Sequence, residues 1–188
     1  MSGWKKYLGA ALLSAASLQA YAATLTPVAA ANPVSIGETV VLDIQLADVS
    51  DLYSYQFSLS FDPTVLQASS VALGDIFSGS STFPSFGFID NVAGTISYVG
   101  NTLIGSIPGV SGGGSLGTIS FQAIGGGNST VTLSDVLLLD SGINDIAATV
   151  NSGSIQVLAV PEPSTYLMLG VGLIGVAALR RRQLAGRA

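Results

Sequence analysis

Apolar and polar side chains alternate along several short segments of this chain, and a period of two is typical of a β-strand with one buried and one wet face. In residues 54–61 every second side chain is apolar, and residues 39–46 repeat the pattern. Further strands are predicted at 116–123, 131–133 and 155–157, with weaker ones at 25–28, 65–72, 85–89 and 95–99. No long amphipathic helical pattern precedes residue 164, so the chain is predicted to be all-β.

Glycine and asparagine separate these strands, and the triplets 112–114 and 125–127 are predicted to be loops because they lack the lysine and the strand-to-helix setting of a phosphate-binding loop. Many short strands at this spacing favour an antiparallel sandwich or jelly roll. Residues 23–160 suffice for one domain with a sizeable core, and the chain has no cysteine with which to form a disulfide.

All basic residues lie at the two ends of the chain, whereas ten of the eleven acidic residues lie between them. The basic residues are Lys5, Lys6, Arg180, Arg181, Arg182 and Arg187. Each basic group flanks an apolar run, and positive charge beside such a run stays on the cytoplasmic side. The distribution predicts an exported protein whose acidic body lies outside the cytoplasmic membrane.

The N-terminal segment has the order of a secretory signal peptide. Lys5 and Lys6 precede an apolar run at 7–18, which is too short to span a bilayer, and Ala20 and Ala22 provide the small residues that signal peptidase requires. Cleavage after Ala22 is predicted, so residues 1–22 form the signal peptide.

The C-terminal segment, residues 161–188, combines a proline-rich stretch, an apolar run and an arginine cluster. Pro161 and Pro163 favour an extended, accessible backbone around Glu162. A transmembrane helix is predicted at 164–179, although its fourteen apolar residues at 166–179 reach only about 21 Å. Arg180, Arg181 and Arg182 then act as a stop-transfer signal.

These three parts together resemble the PEP-CTERM sorting signal of Gram-negative bacteria. The resemblance implies that Pro161, Glu162 and Pro163 are recognised by an exosortase, and that the protein is moved to the cell surface or released after processing. The alternative is a simple C-terminal membrane anchor.

The order of motifs in the body is similar to that of cohesin and cohesin-like domains. The matching segments are the strand that opens at 37–40, the stretch 55–66 with its Asp62-Pro63 turn, the segments 74–77 and 117–123, and the closing strand at 153–157. The resemblance implies a jelly-roll β-sandwich of about nine strands. Some members of the cohesin family bind dockerins.

No catalytic site is expected, because the body lacks His, Cys, Lys and Arg and its aspartates fall on wet strand positions or turns. A glycoside hydrolase using carboxylates alone is a distant alternative. Asp135, Asp140 and Asp145 are candidate Ca²⁺ ligands, although capping and turn roles explain them as well. No other cofactor is expected, and the acidic body argues against nucleic-acid binding.

The sequence therefore predicts a non-enzymatic cell-surface or extracellular-matrix protein, processed by signal peptidase and exosortase, with a role in adhesion or in biofilm structure alongside exopolysaccharide. The alternative is a cohesin-like binding module that recognises a dockerin-like or carbohydrate partner.

Overall fold

The computed structural model of the protein describes residues 22–159, 167–176 and 180. The predicted all-β class is confirmed. The structure has ten strands where about nine were expected, and two of them, β2 and β9, are very short. The strands are β1 Ala23–Ala29, β2 Val34–Ser35, β3 Thr39–Ser60, β4 Leu66–Leu73, β5 Thr82–Asp90, β6 Thr95–Leu103, β7 Val110–Ala123, β8 Gly127–Asp140, β9 Ala148–Val150 and β10 Gly153–Leu158. We call residues 22–159 the sandwich.

Strand β3 belongs to both layers of the sandwich. Its first half pairs with β1 and β7, which extends the first layer to the order β4-β7-β3-β1-β9. Its second half pairs with β6 and β8, which gives the second layer the order β5-β6-β3-β8-β10-β2. The Tyr55 hydroxyl donates to the Leu116 carbonyl, and the Phe61 and Phe121 rings meet edge to face, so the two layers are in direct contact.

The prediction of separate strands at 39–46 and 54–61 is corrected by this continuous strand. Between its halves β3 keeps pairing with β7, through Val49 with Gly112 and Leu52 with Val110, while the register shifts. Asp48 and Asp51 adopt φ values of 58° and 59°, in the left-handed region that aspartate tolerates better than most residues. These bulges bend the strand from one layer into the other.

The prediction that residues 112–114 form a loop is also wrong, because they lie within β7. A Cβ atom on Gly113 would stand 2.7 Å from the Leu46 carbonyl oxygen. Glycine therefore serves here for the close approach of two strands, a role that glycine has in strand interiors as well as in turns.

The core lies between the layers and is contained in the sandwich. Its buried apolar residues run from Ala23 to Val157, and the largest fully buried side chains include Phe57, Phe121 and Leu116. No buried side-chain nitrogen or oxygen in the part of the chain described lacks a hydrogen-bond partner. Because the core needs no residue outside 22–159, we expect the sandwich to fold by itself.

The predicted terminal signals lie largely outside the described residues. Residues 1–21, which include Ala20, are outside them, and Ala22 is exposed. Pro161, Glu162, Pro163, Arg181 and Arg182 are outside them as well. Residues 167–176 form a helix with an almost wholly exposed surface, and Arg180 is also helical. Among the residues with described positions, no helix has both the length and the apolar character needed to cross a bilayer.

Candidate functional site

The outer face of the second layer is a platform of mostly uncharged side chains. In β3 the side chains of Tyr55, Phe57 and Leu59 are buried, so the intervening positions point outward by strand alternation. The strand register places β5, β6 and β8 residues beside them. The outward residues with uncharged side chains are Ser54, Gln56, Ser60, Ser85, Ser97, Gly100, Thr102, Ser134, Leu137 and Leu139. Asp90 at the end of β5 pairs with Thr95 opposite Ser60 and is a charged residue on the same face.

Three aromatic side chains stand on this platform at the edge formed by β5 and β6. Phe83 is 72% exposed, Phe88 70% and Tyr98 62%. Phe83 pairs with Thr102 and Phe88 with Ser97, which places both phenylalanines on the outward face. We call these three residues and the platform around them the aromatic face. Aromatic side chains in such exposed groups are typical of interaction surfaces.

A local distortion turns the aromatic residues outward. Gly87 and Tyr98 lie opposite each other with φ values of 72° and 61°, in the left-handed region. A Cβ atom on Gly87 would stand 2.7 Å from the Ser97 carbonyl oxygen, so the position admits only glycine without rearrangement. The Ser85 hydroxyl donates to the Tyr98 carbonyl at 2.7 Å and ties the two strands together beside the distortion.

The pattern of side chains did not predict this face. A weak strand was predicted at 85–89 with no site on it, because the segment does not alternate cleanly. The available signal was the spacing of Phe83, Phe86 and Phe88 around Gly87, with aromatic residues on both sides of one short strand. An edge strand with exposed apolar residues on both faces is unusual for a monomeric domain.

Asp51 is a structural carboxylate that joins two loops. One of its oxygens accepts from the Gly109 amide at 2.6 Å. The other accepts from the Ser141 hydroxyl at 2.6 Å and the Ser141 amide at 3.2 Å. The hydrogen bonds from Ser141 and Gly109 lower the pKa of Asp51 below its usual value.

Of the candidate calcium ligands, Asp140 is engaged in a turn. Its Oδ1 accepts from the backbone amides of Gly142 and Asn144 at 2.8 Å each, and these contacts, with the Asn144 side chain, lower the pKa of Asp140. Asp135 lies at an irregularity in β8 with a φ of 49°, and Asp145 forms an isolated bridge with Leu139. Across residues 22–159, 167–176 and 180 no three acidic, histidine or cysteine side chains come close enough to share one ion. Calcium binding stays a prediction, which unchanged melting in EDTA or in millimolar calcium would contradict.

Asp43 and Asp75 line an open groove of about 340 Å³. The Ser115 hydroxyl donates to Asp43 and the Ser115 amide to Asp75. The arrangement fastens β7 to β3 and to the segment after β4.

The strand order is that of a jelly-roll β-sandwich, and the aromatic face is a surface suited to binding. The sequence profile of the cohesin domain matches residues 26–157, so the chain belongs to the cohesin-domain family. The profile of the PEP-CTERM protein-sorting motif matches residues 159–182, as the sequence predicted. Comparison with curated protein sequences gives no match.

Several solved structures are similar to the chain. A type II cohesin domain from the cellulosome of Acetivibrio cellulolyticus has 15% identity and a TM-score of 0.61 over 72% of this chain and 95% of that chain. A non-cellulosomal cohesin from the hyperthermophilic archaeon Archaeoglobus fulgidus has 18% identity and a TM-score of 0.55 over 77% and 97%. The third ScaC cohesin of Acetivibrio cellulolyticus, solved in complex with the ScaB dockerin, has 19% identity and a TM-score of 0.60 over 73% and 99%. At these identities the likeness shows the fold.

Proposed function

We propose that the protein is an exported, non-enzymatic binding module that recognises a partner protein through its aromatic face. The observation that carries the proposal is the exposure of Phe83, Phe88 and Tyr98 on a mostly uncharged surface. Covering three large apolar side chains contributes binding free energy on the order of 1.5–3 kcal/mol each at full burial.

Strand pairing places a single charged side chain, Asp90, on this face, and this scarcity of charge favours a protein partner. A charged group that a partner covers must be paired, because its desolvation costs much free energy. Desolvation of serine, threonine and glutamine side chains costs less. The face is also rigid, since it is built on paired strands, and a preordered surface loses little entropy on binding. A dockerin-like protein is the favoured partner, in keeping with membership of the cohesin-domain family.

The sorting segment places this module at the envelope. The last strand of the sandwich ends at Leu158, and the match to the sorting motif begins at residue 159. An exosortase acting at or near Pro161, Glu162 and Pro163 would therefore separate the sandwich from the apolar helix without cutting a strand. The released or attached sandwich then serves adhesion or biofilm structure among the exopolysaccharide outside a Gram-negative cell.

A pull-down with the immobilised sandwich from the secretome of the host tests the proposal. The wild type is expected to capture a saturable partner in one-to-one ratio, and Phe83→Ser/Phe88→Ser/Tyr98→Ser is expected to lose it. Val41→Ser/Val150→Ser, which removes exposed valines from the first layer, is the control and should capture as well as the wild type. Equal capture by all three proteins, or a partner that is only polysaccharide, would contradict the proposal.

A further inference from the structure

A second surface lies at one end of the sandwich, away from the aromatic face. It is an open groove of about 450 Å³ between the loop that follows β6 and the loop that follows β8. We call it the tip groove. Its lining is about half apolar and includes Tyr53, Ser106, Ile107, Pro108, Ser141 and Ile143.

The walls of the tip groove are held in place by hydrogen bonds. The Tyr53 hydroxyl donates to the Gly105 carbonyl at 2.6 Å, which fixes the first loop. Asp51 accepts from Gly109 in that loop and from Ser141 in the other. The groove is therefore formed before any ligand arrives, and filling it requires little ordering of the protein.

Ile143 projects from the second wall and has a strained backbone conformation. It is 75% exposed and has a φ of 64°, which a β-branched residue rarely adopts. Asparagine or glycine would fit this backbone with less strain. Ile107 on the opposite wall is also exposed, so two isoleucines face solvent across one groove.

The charge around the tip groove is negative and uncompensated. Asp51 accepts hydrogen bonds from both loops and Asp140 directly precedes Ser141, and the two carboxylates are close enough for the Asp51 charge to oppose ionisation of Asp140. The sandwich contains no Lys, Arg or His that could neutralise them.

The tip groove lies at the end of the sandwich opposite the last residues of β10. β10 ends beside Gly127, the first residue of β8, whereas the groove adjoins Asp140, the last residue of β8. Fourteen strand residues put these ends roughly 40 Å apart. A sandwich tethered through its C-terminus therefore presents the tip groove at the end opposite the tether.

We propose that the tip groove binds a basic segment of a partner protein, in which a lysine or arginine approaches Asp51 and Asp140 while an apolar stem or neighbouring side chain packs between Ile107 and Ile143. Long cationic side chains combine these two features, since their methylene groups pack on apolar surface while the charged end stays wet. Neither the aromatic face nor the sorting motif is needed for this interaction.

Fluorescence anisotropy of a labelled nine-residue peptide of alternating lysine and leucine, titrated with the sandwich, tests the inference. We expect saturable binding that weakens as salt rises from 50 to 500 mM, because the attraction is screened. Ile107→Ser/Ile143→Asn is expected to weaken binding about tenfold, the order that follows from losing part of two buried isoleucines. The Ile143→Asn change relieves the strained backbone, so thermal melting separates lost binding from lost folding.

Two controls make the test specific. Val92→Ser removes an exposed valine at the opposite end of the sandwich and should leave the affinity unchanged. The same peptide with glutamate in place of lysine should not bind. Equal affinity of the double variant and the wild type, binding of the glutamate peptide, or no binding of the lysine peptide would each overturn the inference. The Phe83→Ser/Phe88→Ser/Tyr98→Ser variant should bind this peptide normally, which separates this surface from the aromatic face.

Discussion

Single carboxylates hold the ends of this sandwich together. Asp51, Asp62 and Asp140 each accept hydrogen bonds from backbone amides or hydroxyls a few residues away or in a neighbouring loop, and these contacts lower the pKa of each. The Asp62 carboxylate, for instance, accepts from the amide and hydroxyl of Thr64 just after β3 ends. The sequence could predict that these aspartates lie in turns. It could not predict that Asp51 contacts Ser141, ninety positions away.

Asp51→Asn is predicted to lower the melting temperature of the sandwich at pH 7, because the ionised carboxylate accepts three hydrogen bonds. The pKa of Asp51 is lower in the folded protein than in the unfolded chain, so its stabilisation is present above about pH 4 and is lost as pH falls through the folded value. The difference in melting temperature between wild type and variant should therefore shrink at pH 2–3. An unchanged difference between pH 7 and pH 2 would contradict this role.

Gly87→Ala is predicted to destabilise the sandwich by more than the 1–2 kcal/mol typical of a left-handed alanine, because the new Cβ also meets the Ser97 carbonyl. Gly79→Ala is the matched control, since Gly79 has a φ of 79° but open space around it. Urea denaturation of both variants measures the difference. Equal destabilisation would mean that the close approach at Gly87 has no energetic consequence.

At the scale of the element, strand β3 determines how the two layers meet. Its buried Tyr55 donates its hydroxyl to the Leu116 carbonyl in β7 of the opposite layer, and burial raises the pKa of Tyr55 well above its ordinary value. Tyr55 also packs against the Phe77 ring in the segment after β4. One side chain thus connects the second half of β3 with two parts of the first layer.

Tyr55→Phe is predicted to cost about 0.5–1.5 kcal/mol of unfolding free energy, because it removes one hydrogen bond to the buried Leu116 carbonyl, which still accepts from the Gly74 amide. Because the folded pKa is raised, the neutral phenol stabilises the fold fully below about pH 10, and this contribution falls as pH rises above the unfolded value. Urea denaturation at pH 8 and pH 11 should show the wild type losing more stability than the variant. Equal losses of stability in the wild type and the variant would contradict a buried, neutral Tyr55 hydroxyl.

The alternation of side chains predicted most strands correctly, because a half-buried strand leaves a strong period of two. It failed at the bend of β3 and at 112–114, where tertiary pairing continues through residues with no alternation. It also gave no sign of the tip groove, which depends on loops brought together by Asp51. Local pattern identifies strands, whereas the sites arise from contacts between distant segments.

At the scale of the whole molecule, charge is segregated between the sandwich and the ends of the chain. Residues 22–159 hold ten carboxylates and no basic side chain. Mutual repulsion of these charges favours solubility and lowers the stability of the compact state. The melting temperature of the sandwich is predicted to rise between 10 and 300 mM sodium chloride as the repulsion is screened. A flat or falling melting temperature would contradict this picture.

The protein is proposed to be exported and then cut so that an intact sandwich is separated from its sorting segment. The first experiment is intact-mass analysis of the protein recovered from its host, with and without the exosortase. We expect a product that begins near Ala23 and ends near Pro161 to Pro163 when the enzyme is present, and a chain that retains its arginine tail when it is absent. A tail retained through Arg187 in both strains would overturn the proposal and leave the C-terminal segment as an anchor alone.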